Sequence, residues 1–133
     1  MALYDVVGGY VGVVAAAKQS ERLQQVPMID THEVNKRLND NGTGIDQKNW
    51  VLLDVRDADE RAADAIEGSE HIYVGHLNKR WQALDKHRHY TLMCVSGARA
   101  TVAAGWLASQ GFDNLDIYLG GMEACRHAKD LAE

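Results

Sequence analysis

The stretch YTLMCVSGARATVAAGWLASQ, residues 90–110, decides the fold. Its first four residues, 90–93, are an apolar run behind the polar segment 86–89, which predicts a buried strand. The Ala-rich run 100–110, closed by Gly111, predicts a helix with a glycine just past its end. Between them stand Cys94, Val95, Ser96, Gly97, Ala98 and Arg99. A thiol is therefore expected at the carboxyl end of a strand, facing a helix N-terminus across a tight loop.

Elementary electrostatics gives that position a chemistry. A loop curled around the sulfur would aim the amides of residues 95–99 inward as an anion-binding nest. The helix N-terminus adds partial positive charge and Arg99 a full one, and all of these favour a thiolate nucleophile. Gly97 suits a loop whose backbone angles a side chain would resist. The plain alternative is an inert core cysteine, since free Cys is among the most buried residue types.

Working outward, residues 50–55 form a continuous apolar run that predicts a fully buried strand. Asp57 and Glu60 behind it have capping-box spacing, so a short helix follows. The segment 26–29 predicts a short edge strand, where Pro27 is tolerated. Asp30 and Glu33 then open a helix to about Leu38, with His32 a solvated residue of its first turn. Residues 39–49 read as a loop, 72–74 as a strand and 77–84 as a short helix around Trp81. A strand over 116–119 and a helix over 122–131 complete the chain. Strands alternating with helices imply an α/β fold, a small parallel sheet with helices on both faces. Ligands in such folds sit outside the carboxyl ends of the strands, where Cys94 is expected.

The loop from Cys94 to Arg99 resembles that of the rhodanese-like sulfurtransferase domain: Cys, two residues, Gly, one residue, Arg. Val51-Leu52-Leu53-Asp54-Val55-Arg56 is similar to the family's first signature strand. Ala65-Ile66-Glu67-Gly68 and the following residues are similar to its His-Ile-Pro-Gly segment. Ile117-Tyr118-Leu119-Gly120-Gly121-Met122 is similar to its last strand and Gly-Gly turn. These motifs fall in order over residues 28–130. The resemblance implies that Cys94 is nucleophile and sulfur carrier, that the amides of Val95, Ser96, Gly97 and Ala98 hold the persulfide, and that Arg99 orients donor or persulfide. It also implies that Asp54 supports the loop, through its amides or Arg99, and that Arg56 is held in ion pairs; a strand-end cap is the alternative for Asp54. Val95 stands where the family often has a basic residue, which weakens the case for thiosulfate, a small dianion, but not for a persulfide donor. Cys125 stands where an aromatic is expected, as a helix residue or as a resolving thiol.

Composition bounds the rest. A chain of 133 residues is about one domain, and 46% hydrophobic with 25% charged residues is ordinary for a globular protein. A net charge of −5 argues against general nucleic-acid binding. Two cysteines make no disulfide framework and suit a reduced, cytoplasmic setting. The basic cluster 86–89 reads as a solvated turn. None of the six histidines has convincing metal spacing, and no metal or cofactor is expected. Residues 1–25 form an apolar arm and connecting segment ahead of a domain over 26–133. Its uncharged run 6–17 is too short to span a bilayer and is expected to pack on the domain or on a second copy, with export or membrane attachment as the alternative.

Three functions fit. The first is a sulfurtransferase with a small-molecule donor such as thiosulfate or a persulfide, a thiophilic acceptor and, as a further partner, a sulfur-relay protein. The second is a phosphatase or arsenate reductase, disfavoured because those enzymes use a Cys-to-Arg loop one residue longer. The third is a regulatory binding module.

Overall fold

A computed structural model describes residues 26–39 and 49–132. The N-terminal arm and most of the 39–49 loop lie outside these residues. Among them the order is β1 (Met28–Ile29), α1 (Thr31–Leu38), β2 (Trp50–Asp54), α2 (Ala58–Ala63), β3 (Glu70–His71), a 3₁₀ turn (Val74–His76), α3 (Leu77–Arg80), a second 3₁₀ turn (Trp81–Ala83), β4 (His89–Met93), α4 (Ala98–Ser109), β5 (Leu115–Tyr118) and α5 (Gly121–Ala132). The strands form one parallel sheet in the order β1-β5-β4-β2-β3. The α/β class read from the alternation is the class observed.

Period-2 alternation divides the apolar strands between two faces. Val51, Leu53, Tyr90, Leu92, Cys94, Leu115 and Ile117 join Ala100, Ala103, Ala104 and Leu107 of α4 in one cluster. Trp50, Leu52, Met93 and Tyr118 join Val34 of α1 and Met122 of α5 in the other. Every residue of β2 and of β5 is buried, as parallel strands covered on both faces require.

Topology places the site. The chain leaving β2 runs to the face of α1 and α5, where Ile66 joins their cluster and Asp64 pairs with Arg126 of α5. The chain leaving β4 forms α4 on the opposite face. Connections parting in opposite directions from neighbouring strands open a crevice at their carboxyl ends. Cys94 follows β4 directly.

Three expectations need correction. Residues 72–74 are not a strand: β3 is Glu70–His71, and Val74–His76 forms a 3₁₀ turn instead. The Ile72 and Val74 amides still reach the carbonyls of Asp54 and Val55, so the run that read as a strand is an exit from the sheet that turns to cover it. The helix read over 77–84 is one α-helical turn followed by 3₁₀. His89 is not part of a solvated turn; it opens β4, and its Nε2 lies 2.9 Å from Asp116 Oδ2.

Candidate active site

Gly97 is the residue before α4 and has φ of 110°, the left-handed region where a glycine is needed. This turn brings two amides onto the sulfur. Cys94 Sγ accepts the N–H of Gly97 at 3.1 Å and that of Ala100 at 3.4 Å. Of this pair, Gly97 lay inside the stretch read from sequence and Ala100 just beyond it. The amides of Val95, Ser96, Ala98 and Arg99 have no acceptor among the described residues.

The loop's carbonyls face the other way. Cys94 O accepts from the Met122 amide at 2.8 Å and Val95 O from the Glu123 amide at 3.0 Å, so the first turn of α5 anchors the loop from behind. Gly121 makes this approach possible: a Cβ there would stand 2.0 Å from Cys94 O, and its φ is 52°. With carbonyls tied back, the peptide units present their N–H groups forward. Cys94 is buried, 1% exposed, beneath a loop in which Ser96 and Ala98 are exposed.

Arg99 is held by a partner that the sequence reading named only as a helix start. Its Nη1 and Nη2 donate to Glu60 Oε1 and Oε2 at 2.5 and 2.9 Å, a bidentate pair across 39 positions of sequence. The Arg99 bond holds the Glu60 carboxyl down to about 2, against burial, which pushes it up. Glu60 in turn raises the guanidinium of Arg99 above its ordinary value, and the charge of Cys94 adds to this. Glu60 is also the third residue of a complete capping box with Asp57. That spacing was the only signal for it, and it announces a helix start rather than a bridge to position 99.

Asp54 and Arg56 act further back. Asp54 meets neither the loop amides nor Arg99. Its Oδ1 accepts from the Arg56 amide and from Nε, both at 3.0 Å, and its Oδ2 from Nη2 at 2.9 Å. Arg61 adds a longer bond at 3.4 Å. Arg56 also reaches the carbonyls of Glu60 and Asp64, at 3.4 and 2.5 Å. This fully buried pair fastens α2 to the end of β2, and α2 presents Glu60 to Arg99.

Cys125 packs with the Tyr118 and Met122 cluster, on the opposite sheet face from Cys94, which removes the geometry a resolving thiol would need. Among the described residues no cluster of three or more His, Cys, Asp or Glu is placed to hold a metal ion. Nor is any helix there long and apolar enough to cross a membrane.

A strand-loop-helix that cups a cysteine in main-chain amides defines a Cys-loop α/β domain, and comparison with known proteins names its family. The chain belongs to the rhodanese-like domain family, whose model matches residues 30–128. It is similar to the thiosulfate sulfurtransferase GlpE of Actinobacillus succinogenes, 31% identical over 84 residues that cover 63% of this chain and 76% of that one. It is similar also to a tRNA sulfurtransferase of Psychromonas ingrahamii, 28% identical over 105 residues, covering 72% of this chain but 22% of that much longer protein. In fold it resembles a rhodanese-related protein of Thermoplasma volcanium, with TM-score 0.65 and 22% identity over 77% of this chain and 92% of that one. These relatives support a rhodanese-type role in sulfur transfer.

Proposed function

We propose that the chain is a sulfurtransferase that carries sulfane sulfur as a persulfide on Cys94. The observation that carries this reading is the sulfur's position, bonded by two amides while four more amides of the same loop have no acceptor among the described residues. Cys94 thiolate attacks the outer sulfur of a donor such as thiosulfate. A new S–S bond forms, the donor's S–S bond breaks, and sulfite leaves with the electron pair. The sulfur so gained stands about 2.0 Å beyond Sγ, among the amides of Ser96, Ala98 and Arg99. An acceptor nucleophile then attacks that outer atom, and Cys94 leaves as a thiolate stabilised by Gly97 and Ala100. Splitting one transfer into two displacements is covalent catalysis, and double-displacement kinetics follow.

The positive field comes more from main chain than from side chain. Glu60 offsets much of the Arg99 charge, so the amides and the N-terminus of α4, equivalent to roughly half a charge, do most of the anion binding. Such a field fits a monoanionic persulfide better than a free dianion. A persulfide, from a small molecule or a sulfur-relay protein, is therefore the donor the site suits best, with thiosulfate a slower one. The setting is cytoplasmic and reducing in this reading, because a persulfide carrier needs its cysteine free, and both cysteines are free thiols.

Intact mass measurement of the reduced protein after thiosulfate or a low-molecular-weight persulfide tests this directly. The expected result is a gain of one sulfur, lost on adding cyanide with release of thiocyanate, and absent in Cys94→Ser. No uptake from either donor would overturn the reading in favour of a binding module.

A further inference from the structure

Where the chain leaves β2 and β3 lies a cavity of about 500 Å³ lined by Asp57, Asp59, His71, Tyr73, His76 and Arg80. That volume is in the range of small-molecule sites. Asp57 caps α2 and Asp59 stands in its first turn, His71 ends β3, Tyr73 and His76 follow that strand, and Arg80 ends α3. Three separate pieces of chain thus meet over one cavity. No residue of the cysteine loop is among them, and the transfer chemistry above uses none of them.

Local bonds fix the walls but leave their charges uncompensated. Asp57 exchanges hydrogen bonds with Glu60 through its amide and its Oδ1, so its Oδ2 has no partner among the described residues. Asp59 and Arg80 line the same cavity, yet neither has an ion-pair or hydrogen-bond partner among the described residues. His71 Nε2 lies 2.6 Å from the carbonyl oxygen of Arg56, which can only accept, so Nε2 is the donor and Nδ1 of the neutral ring is an acceptor. Tyr73 supplies an apolar wall fixed in place: its ring folds over Gly75, where a Cβ would stand 2.5 Å away, and meets His76 edge-on at 5.3 Å.

The charges select the ligand. Two carboxylates, Asp57 and Asp59, and one guanidinium, Arg80, line the cavity, so its complement carries two cations and one carboxylate. A neutral zwitterion would leave one carboxylate unanswered, and an anion would meet two like charges. We propose that this cavity binds a free basic amino acid of the lysine class. The α-carboxylate sits on Arg80, the two ammonium groups sit on Asp57 and Asp59, and His71 Nδ1 accepts a further N–H. The methylene stem lies along the Tyr73 ring, as the stems of long cationic side chains lie on apolar surface. The site stands apart from the sulfur-transfer reading: it uses other residues and needs no reaction at Cys94.

Calorimetric titration of the full chain with L-lysine tests the site. L-norleucine, which lacks the side-chain ammonium, and L-lysinamide, which lacks the carboxylate, serve as comparisons. No sulfur donor is present, so the result is independent of whether Cys94 takes up sulfur. L-lysine is expected to bind saturably, one per chain, and each analogue about fivefold more weakly, the worth of one screened ionic contact. Two variants then assign the contacts. Asp59→Asn should remove most of the preference for L-lysine over L-norleucine and keep that over L-lysinamide, and Arg80→Gln should do the reverse. Both side chains are exposed and make no bonds among the described residues, so the unliganded variants should melt with the wild type. The wild-type comparison needs no variant at all. Absence of saturable L-lysine binding, or equal affinity for L-lysine and L-norleucine, would overturn the site. Variants that weaken all three ligands by the same factor would overturn it as well.

Discussion

The two ends of the sheet handle polar groups in opposite ways. Toward the amino ends of the strands, on the face of α1 and α5, Asp116 gathers a closed network. Its Oδ2 accepts from Arg37 at 2.7 Å and from His89 at 2.9 Å, and its Oδ1 from the Thr91 hydroxyl. Thr91 in turn accepts from Trp50 Nε1 at 2.8 Å and from Arg37 at 3.2 Å. At the carboxyl end, loop amides are held forward with no acceptor among the described residues. Internal satisfaction ties three strands and a helix together; unspent donors are what a ligand or a reacting sulfur can use. On the proposed reading one end serves stability and the other chemistry, and substitutions can separate the two.

The largest expected effect belongs to the closed end. Asp116→Ala takes away the shared buried acceptor of Arg37, His89 and Thr91, leaving Arg37 its Glu33 pair, and should cost about 3 kcal/mol in urea denaturation, while the fraction still folded takes up sulfur at an unchanged rate. Combining it with Arg37→Met should recover much of the loss, since removing both charges spares the desolvation that one of them alone incurs. Acid should sharpen the difference. Burial pushes the Asp116 carboxyl up, but its bonds with His89, Thr91 and Arg37 together bring it below its ordinary value of 3.8. A depressed carboxylate contributes stability that is fully present well above 3.8 and is lost as pH falls through the lower folded value. The wild type should therefore lose stability more steeply than Asp116→Asn below about pH 4. Equal slopes would mean the network is not where the acid sensitivity lies.

Gly121→Ala comes next and strikes the active end. The added Cβ would collide with the backbone carbonyl of Cys94, at a residue whose φ is already positive. A cost of about 2–4 kcal/mol is expected. Unlike the loss at Asp116, it should come with a sulfur-uptake rate at least about tenfold lower, because about 1.4 kcal/mol of misplacement is enough for that factor. Normal uptake in the folded variant would show that anchoring from α5 does not position the loop.

What could be read in advance followed from local rules. The run 90–110 announced strand, loop and helix because apolar continuity, Gly97 and Gly111 act within a few residues of where they stand. The Asp57–Glu60 capping box was legible for the same reason and is present in both its halves. Residues 72–74 misled because an aliphatic and aromatic run also suits a turn that covers the core. The Arg99–Glu60 pair spans 39 positions, and the Asp116 network draws Arg37, Trp50, His89 and Thr91 from three other elements. No local pattern marks such pairings; register and packing create them.

Glu60→Gln should have a smaller effect. Each partner of the pair is about three-quarters buried and the geometry is bidentate, yet solvent screening leaves about 1 kcal/mol of stability in it. Because Glu60 is held to about 2, that contribution is intact at neutral pH and fades only as pH drops from 4.5 toward 2. The variant frees Arg99 to act as a full charge beside Cys94, so its KM for thiosulfate should fall even as its melting temperature does. Stability and substrate use moving in opposite directions would assign Glu60 a positioning role, whereas a parallel loss would make it structural only.

Val95→Lys is expected to leave stability within about 0.5 kcal/mol, since a partly exposed position outside any element is being changed. Its effect should be electrostatic. A cation next to Cys94 supplies the charge that Glu60 offsets in Arg99, and attraction of a dianion rises more than that of a monoanion. kcat/KM for thiosulfate should rise about fivefold at low ionic strength and converge on the wild-type value as salt screens the added charge. A small monoanionic persulfide should gain less. Equal gains for both donors would mean that charge at position 95 does not choose between them, and the selectivity assigned to the amide-dominated field would have to come from the shape of the loop instead.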